Sequence, residues 1–200
     1  MSVLAGAHGA LVFSRRVRVL AGHLAPLFPA NASVLDVGCG DGSIARAILA
    51  QRGDLTLGGV DVLKREETKI PVEIFDGKRL PRPDASVDAV MFVDVLHHTD
   101  DPALLLAEAC RVARRCIVIK DHLRDGFLAG ATLRFMDWVG NAPYGVALPY
   151  TYWPEKRWRD AFARHGLRMV EWRTSLGLYP FPAGLLFDRG LHFVARLDKA

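Results

Sequence analysis

The most constraining feature of this sequence is the stretch 33–51, where a strand, a glycine-rich turn and a helix follow one another. Residues 34–37 are mostly apolar and are typical of a short buried strand. Three glycines come at alternate positions within 38–42, and residues 43–51 carry apolar side chains at helical spacing. This order predicts an open α/β sheet in which a tight turn joins the first strand to a helix.

The turn has the properties of a ligand-binding corner. Glycine lets the backbone approach a ligand closely, and the first turn of a helix offers free N–H groups. A dinucleotide-binding turn has the spacing Gly-x-Gly-x-x-Gly, but here the third glycine, Gly42, comes one residue early. Because Asp36 and Asp41 would repel a pyrophosphate, they favour a ligand with a positive centre, hydroxyl groups or an amine.

A further acid, Asp61, closes the next predicted strand, 55–62. It lies 19 positions past Gly42 (61 − 42). An acid at this place can accept hydrogen bonds from both hydroxyl groups of a ribose. The pattern therefore predicts a nucleoside site and leaves the kind of nucleoside open.

The run Val-Leu-Asp-Val-Gly-Cys-Gly-Asp-Gly at 34–42 resembles the first motif of class I S-adenosylmethionine-dependent methyltransferases. Residues 93–98 are also similar to that family, as is the approach to the fourth strand from Leu80-Pro81 to Asp88, although Val87 stands where phenylalanine is usual. The resemblance covers residues 33–122. It implies an α/β, Rossmann-like, seven-stranded and mostly parallel sheet with an antiparallel final strand and helices on both faces.

The resemblance implies S-adenosylmethionine as the cofactor and gives roles to individual residues. The loop 38–42 would pass under the methionine portion, and Asp36 would hold its amino group. Asp61 would hold the ribose and Asp76 the adenine, while the backbone near 93–94 would face the methionine carboxylate or the acceptor. The predicted cofactor-binding residues are Asp36, Gly38, Cys39, Gly40, Asp61, Val62, Asp76, Gly77, Val93 and Asp94.

Methyl transfer from a sulfonium is an in-line displacement, so alignment of the reactants and exclusion of water supply much of the catalysis. A base is needed only when the acceptor must lose a proton. The fifth strand is predicted at 116–120 and leads into Asp121 and His122. The candidates near the carboxyl edge of the sheet are His122, His98 and Asp121, with His97 beside them, and loop packing is the alternative role of the paired histidines. No metal site is expected.

Two segments are predicted to shape the acceptor site. Residues 1–30 contain an amphipathic helix over 8–28 that packs on the sheet and is a candidate lid. Residues 123–153 form a candidate substrate cap rich in large side chains: Phe127, Phe135, Met136, Trp138, Tyr144, Tyr150, Tyr152 and Trp153. This composition predicts an apolar, aromatic, isoprenoid or acyl acceptor, either a small molecule or a lipid-like one. The alternative is a hydrophobic minicore under a long loop.

Composition narrows the class of protein further. The 200 residues predict one domain, 1–200, and no apolar run approaches the roughly 18 residues of a membrane span. Three irregularly spaced cysteines and the lack of a secretory pattern favour the cytoplasm. A net charge of +4 without a dense basic patch argues against a nucleic-acid partner.

Competing functions remain open at this stage. A catalytically inactive module that binds a nucleoside as a sensor or scaffold would retain the same acids. A nicotinamide-dependent oxidoreductase would share Asp61 and the sheet, although the early third glycine argues against it. A nucleic-acid methyltransferase usually carries an Asn-Pro-Pro-Tyr-like run after the fourth strand, and residues 94–97, Asp-Val-Leu-His, do not resemble one.

Overall fold

A computed structural model describes residues 3–63, 65–141 and 149–199. Its seven strands form one sheet: β1 (Ser33–Val37), β2 (Thr56–Asp61), β3 (Val72–Ile74), β4 (Val87–Val93), β5 (Ala113–His122), β6 (Leu167–Arg173) and β7 (His192–Lys199). The strand order is β3-β2-β1-β4-β5-β7-β6. β7 runs antiparallel to both of its neighbours, and the other neighbouring strands are parallel. The predicted Rossmann-like fold is confirmed.

In the described part of the chain, six α-helices accompany the sheet: α1 (Val3–Leu24), α2 (Ser43–Leu49), α3 (Pro102–Val112), α4 (Ala129–Asn141), α5 (Glu155–Arg164) and α6 (Gly184–Phe187). α3 has an N-cap, because the Asp101 side chain accepts a hydrogen bond from the Ala103 N–H at 3.0 Å. α1 starts earlier than the predicted 8–28, and its last turn tightens into a 3-10 helix at Ala25–Leu27.

Apolar residues cover both faces of the sheet, since successive strand residues point to opposite sides. On one face, Val90 and Phe92 of β4 lie in a core with buried residues of α3 and α5. On the other face, Ala89 and Met91 lie in a core with Leu20 and Leu24 of α1 and residues of α2. The alternation explains why helices are needed on both sides.

β5 is longer than the predicted strand 116–120. Its pairing with β7 continues to the carboxyl end, where Asp121 lies opposite Phe193 and His122 opposite His192. Both residues therefore lie within the sheet, whereas the sequence predicts them in the loop beyond it. The partner strand fixes their backbones, and their side chains are buried.

The segment 123–153 contains α4, and its residues Ala129, Leu133 and Tyr152 form a small separate core together with Leu191. Phe127, Phe135 and Trp138 are exposed, and Tyr144 lies outside the described residues. The minicore is thus present, while a substrate-cap role stays a prediction. Across the described ranges, every helix is too short or too polar to cross a membrane.

Candidate functional site

The glycine turn after β1 is held in a conformation that favours glycine. Gly38, Gly40 and Gly42 have φ values of 71°, 59° and 75°. A Cβ atom at Gly38 would lie 2.6 Å from Cγ2 of Val95, and one at Gly42 would lie 2.5 Å from Cγ1 of Ile70. A Cβ at Gly40 would meet nothing within 4 Å. The turn is therefore packed at its two ends and open at its centre.

The open centre faces a cavity of about 170 Å³, here called the first cavity. Its lining is Asp36, Gly38, Cys39, Gly40, Asp41, Ser43, Ile44 and Val93. Asp36 is 3% exposed, and burial together with the nearby charge of Asp61 raises its pKa to about 8. A cation entering the first cavity would favour the ionised form of this carboxyl group.

Asp61 lies beneath the turn and organises it. Its Oδ2 accepts a hydrogen bond from the Gly40 N–H at 2.7 Å, and its Oδ1 accepts one from the Leu63 N–H at 2.8 Å. An ionised carboxylate has about four acceptor positions. Asp61 can therefore hold the turn and still accept hydrogen bonds from a ligand.

A second cavity of about 450 Å³ adjoins the first, because Gly38 lines both. Its lining is Gly38, Val62, Leu63, Phe75, Asp76, Gly77, Lys78, Val95, His98, Thr99, Asp100, Asp101, Leu104 and Leu105. Asp76 is exposed at its edge, and its Oδ1 accepts the N–H groups of Lys78 and Arg79, both at 2.8 Å. These bonds lower the pKa of Asp76 and keep it ionised.

Beside the cavities, a buried network of polar side chains occupies the carboxyl ends of β4 and β5. We use this name for Arg16, Asp94, His97, Lys120, Asp121, His122, Asp137, Tyr152 and His192. It joins α1, β5, β7, α4 and the segment that follows β4. Its members come from distant parts of the sequence and meet because parallel strands end at one edge of the sheet.

Asp94 is the carboxylate at one end of this network. Its backbone has φ +57°, and its side chain accepts hydrogen bonds from Lys120 and Arg16. Burial opposes ionisation, but these two cations hold the pKa of Asp94 well below its usual value. Lys120 is fully buried, with Nζ 3.3 Å from Nδ1 of His192. The side chain of Asp94 thus fastens α1 to β5.

His97 is the centre of the network. Its Nδ1 lies 2.6 Å from Oδ1 of Asp121, and its Nε2 lies 3.4 Å from Oδ2 of Asp137. Burial opposes a charged imidazole, but Asp121 and Asp137 outweigh it and raise the pKa of His97 to about 10. Asp137 also accepts a hydrogen bond from the Tyr152 hydroxyl. With His97 protonated, three cations (Arg16, His97, Lys120) balance three carboxylates (Asp94, Asp121, Asp137).

The three predicted base candidates occupy different positions. Asp121 binds His97 and accepts the N–H groups of Leu96 at 3.1 Å and His122 at 2.7 Å, which suits it to hold His97 in place. His122 lies 3.3 Å from His97, Nδ1 to Nδ1. Burial, Lys120 and His97 lower the pKa of His122 to about 4, so its ring is neutral at pH 7. His98 lines the second cavity.

The sequence analysis does not single out several members of the network, including Lys120, Asp137 and His192. The position of Lys120 at the end of an apolar strand does indicate a buried ion pair, because a charged residue there is seldom buried without a partner. Asp137 carried little signal, since a single acid in a helix is most often exposed. Its burial depends on the contact of α4 with Tyr152, which the sequence does not show.

Comparison with known proteins identifies the family. A family model described as a methyltransferase domain matches residues 12–172. The chain belongs to this methyltransferase family. Members use S-adenosylmethionine, in agreement with the cofactor that the resemblance of residues 34–42 implies.

Two related proteins agree with the methyltransferase assignment. The chain is 30% identical over 110 residues to 27-O-demethylrifamycin SV methyltransferase of Amycolatopsis mediterranei (strain S699), covering 48% of this chain and 40% of that protein. It is 35% identical over 107 residues to a "probable S-adenosylmethionine-dependent methyltransferase" of Mycobacterium tuberculosis (strain ATCC 25618 / H37Rv), covering 50% and 38%. The chain thus spans about two-fifths of the length of these relatives.

The fold likeness extends over nearly the whole methyltransferase chain. A SAM-dependent methyltransferase structure of Thermotoga maritima matches with a TM-score of 0.68 at 18% identity, covering 99% of this chain and 96% of that one. At this identity the match shows the fold alone. It agrees with the observed strand order and the antiparallel β7.

Proposed function

We propose that this chain transfers the methyl group of S-adenosylmethionine to a small, apolar or aromatic acceptor. The observation that carries the proposal is the pair of adjoining cavities on either side of Gly38. Eight of the ten predicted cofactor-binding residues line them: Asp36, Gly38, Cys39, Gly40, Val62, Asp76, Gly77 and Val93. Asp61 supports the turn from below, and Asp94 directs its side chain into the buried network.

The cavities suit the two ends of the cofactor. The first cavity has the buried carboxyl group of Asp36 for the ammonium group of the methionine portion. The second has apolar side chains, including Leu104 and Leu105, for the faces of the adenine and the carboxylate of Asp76 at its edge. Asp61 would accept hydrogen bonds from the ribose between them. S-adenosylmethionine supplies a methyl group on a positively charged sulfur when it is bound.

The acceptor class is supported by composition and by relatives. Residues 123–153 contribute buried aromatic side chains such as Tyr152, whose ring stacks on His97, and these favour an apolar acceptor. The name of the Amycolatopsis relative describes methylation of a rifamycin at an oxygen. A hydroxyl acceptor is therefore the first choice. A hydroxyl group must lose a proton in the reaction, and we propose His122, beside His97 and Asp94, as the proton acceptor.

The test combines cofactor binding and methyl transfer. Wild-type protein is incubated with methyl-labelled S-adenosylmethionine and a panel of apolar hydroxylated small molecules, and label in the product is counted. Asp61→Asn should weaken binding of S-adenosylhomocysteine by about tenfold or more, because an amide cannot accept from both the turn and the ribose. Asp160→Asn is the matched control, since Asp160 is exposed and pairs with Lys156.

Three results would decide among the functions. Methyl transfer that fails in His122→Ala while cofactor affinity is retained supports the full proposal. Tight binding of S-adenosylhomocysteine without transfer to any acceptor would favour the sensor or scaffold function. Equal affinities of wild type and Asp61→Asn would overturn the assignment of the ribose site.

A further inference from the structure

We propose that His97, His98 and Asp137 form a binding site for a divalent transition-metal ion. His97 and His98 lie on the 3-10 turn Leu96–His98 after β4, and Asp137 comes from the inner face of α4. One potential ligand atom from each residue lies within 4.8 Å of the others. His97 and Asp137 are almost completely buried, and His98 is half-buried. This inference goes beyond methyl transfer and does not depend on it.

The orientation of His97 is the first argument. Its Nδ1 is fixed by Asp121 at 2.6 Å, while its buried Nε2 makes no well-formed hydrogen bond among the described residues and has the carboxylate of Asp137 as its charged neighbour. Histidines that bind metal commonly have a carboxylate on the ring nitrogen opposite the ion. His97 has that arrangement, with Nε2 directed toward Asp137. An ion bound there replaces the proton of Nε2, so binding releases one proton to the solvent.

The spacing of the ligand atoms is the second argument. Nε2 of His97 lies 3.4 Å from Oδ2 of Asp137. Two ligands of a tetrahedral zinc ion with bonds of about 2.0–2.1 Å lie about 3.4 Å apart. An ion could therefore bind between them after small side-chain movements, and His98, whose ring centroid is 4.1 Å from that of His97, would supply the third ligand.

The ligand types indicate the class of ion. Two imidazoles and one carboxylate suit Zn²⁺, Co²⁺, Ni²⁺ or Fe²⁺, whereas Mg²⁺ and Ca²⁺ favour a shell of oxygen atoms. Three protein ligands leave a coordination position for water or for an oxygen of a substrate. His98 lines the second cavity, which gives an ion a route from solvent to the site.

A second combination, Asp94, His97 and His122, also has ligand atoms within 4.8 Å of one another. Asp94 is already bound by Lys120 and Arg16. An ion at that place would lie next to two fixed positive charges, and Coulomb repulsion would weaken its binding. The structure therefore favours the site formed with His98 and Asp137.

The experiment measures metal binding by tag-free, full-length protein that has been treated with a chelator and dialysed. Zn²⁺ is titrated by calorimetry, and Co²⁺ is titrated by its visible absorption. We expect one ion per chain, with Co²⁺ bands of an ordered site with nitrogen and oxygen ligands. Asp137→Asn and His98→Ala should each lower the affinity by about tenfold or more. His122→Ala is the control from the competing site and should retain the wild-type affinity.

The outcomes separate this inference from the proposed function, because binding is read without any methyl acceptor. Circular dichroism identifies a variant that does not fold, and the half-buried His98 provides a second test if Asp137→Asn is unstable. Failure of wild-type protein to bind either ion in a one-to-one ratio would overturn the proposal and leave His97 as a protonated imidazole between two carboxylates. The proposal would also be overturned if His122→Ala lost metal binding while Asp137→Asn and His98→Ala retained it.

Discussion

The glycine turn and the buried network lie at the same edge of the sheet but are built in different ways. The turn comes from consecutive residues, 38–42, and its shape depends on backbone conformation and on two close contacts. The network collects side chains from residue 16 to residue 192 and depends on paired charges in the interior. A change in the turn acts through the few contacts of one short segment, whereas a change in the network of buried charges acts on several elements at once.

The largest expected effect follows from this difference. Lys120→Met should lower the free energy of unfolding by about 3–5 kcal/mol, because it removes a fully buried partner of Asp94. Arg168→Met is the matched control: its pair with Asp198 is mostly exposed and should contribute no more than about 1 kcal/mol. Chemical denaturation of both variants provides the measurement. If Lys120→Met were as stable as wild type, Arg16 alone would be enough to stabilise the charge of Asp94, and the prediction would be wrong.

The same difference explains which parts of the site can be predicted from the sequence and which cannot. Asp36, the glycines and Asp61 follow apolar strands at fixed spacing, so their positions could be predicted from neighbouring residues. The network could not, because His97 meets Asp137 only when α4 folds back over the end of β4. The length of β5 also depends on its pairing with β7, and the paired residues His122 and His192 are 70 positions apart in sequence (192 − 122).

A second prediction compares two glycines of one turn. Gly38→Ala should destabilise the protein more than Gly40→Ala, because its methyl group would lie 2.6 Å from the branched side chain of Val95. Both variants carry the strain of a left-handed backbone, about 1–2 kcal/mol. Gly40→Ala has room within the protein, but its methyl group would enter the first cavity. It should therefore remain folded and lose affinity for S-adenosylhomocysteine.

Thermal unfolding and calorimetric titration of the two glycine variants separate stability from binding. Unchanged S-adenosylhomocysteine affinity in Gly40→Ala would show that the cofactor does not pass over the centre of the turn. Equal stabilities of the two variants would show that Val95 can move aside at little cost.

A smaller effect concerns the protonation of Asp36. With a pKa of about 8, this carboxyl group is mostly protonated at pH 7 before the ligand binds. Because an ammonium group favours the ionised form, binding of S-adenosylhomocysteine should release close to one proton at pH 7. Affinity should accordingly rise with pH up to about 7.5, above which the ligand's own amino group begins to lose its charge.

Calorimetry in two buffers with different ionisation enthalpies measures the released proton directly. Asp36→Asn has no titratable group at this position and should abolish the release. Proton uptake by the wild-type protein, or the same release from the variant, would show that Asp36 does not meet the ammonium group.

The most direct test of the account is calorimetric titration of the wild-type protein with S-adenosylhomocysteine, with NADH as the control ligand. The two adjoining cavities and the early third glycine predict binding of S-adenosylhomocysteine with a dissociation constant on the order of micromolar, and no measurable binding of NADH. Binding of NADH in place of S-adenosylhomocysteine, or binding of neither ligand, would contradict the assignment of the glycine turn to a methyltransferase cofactor.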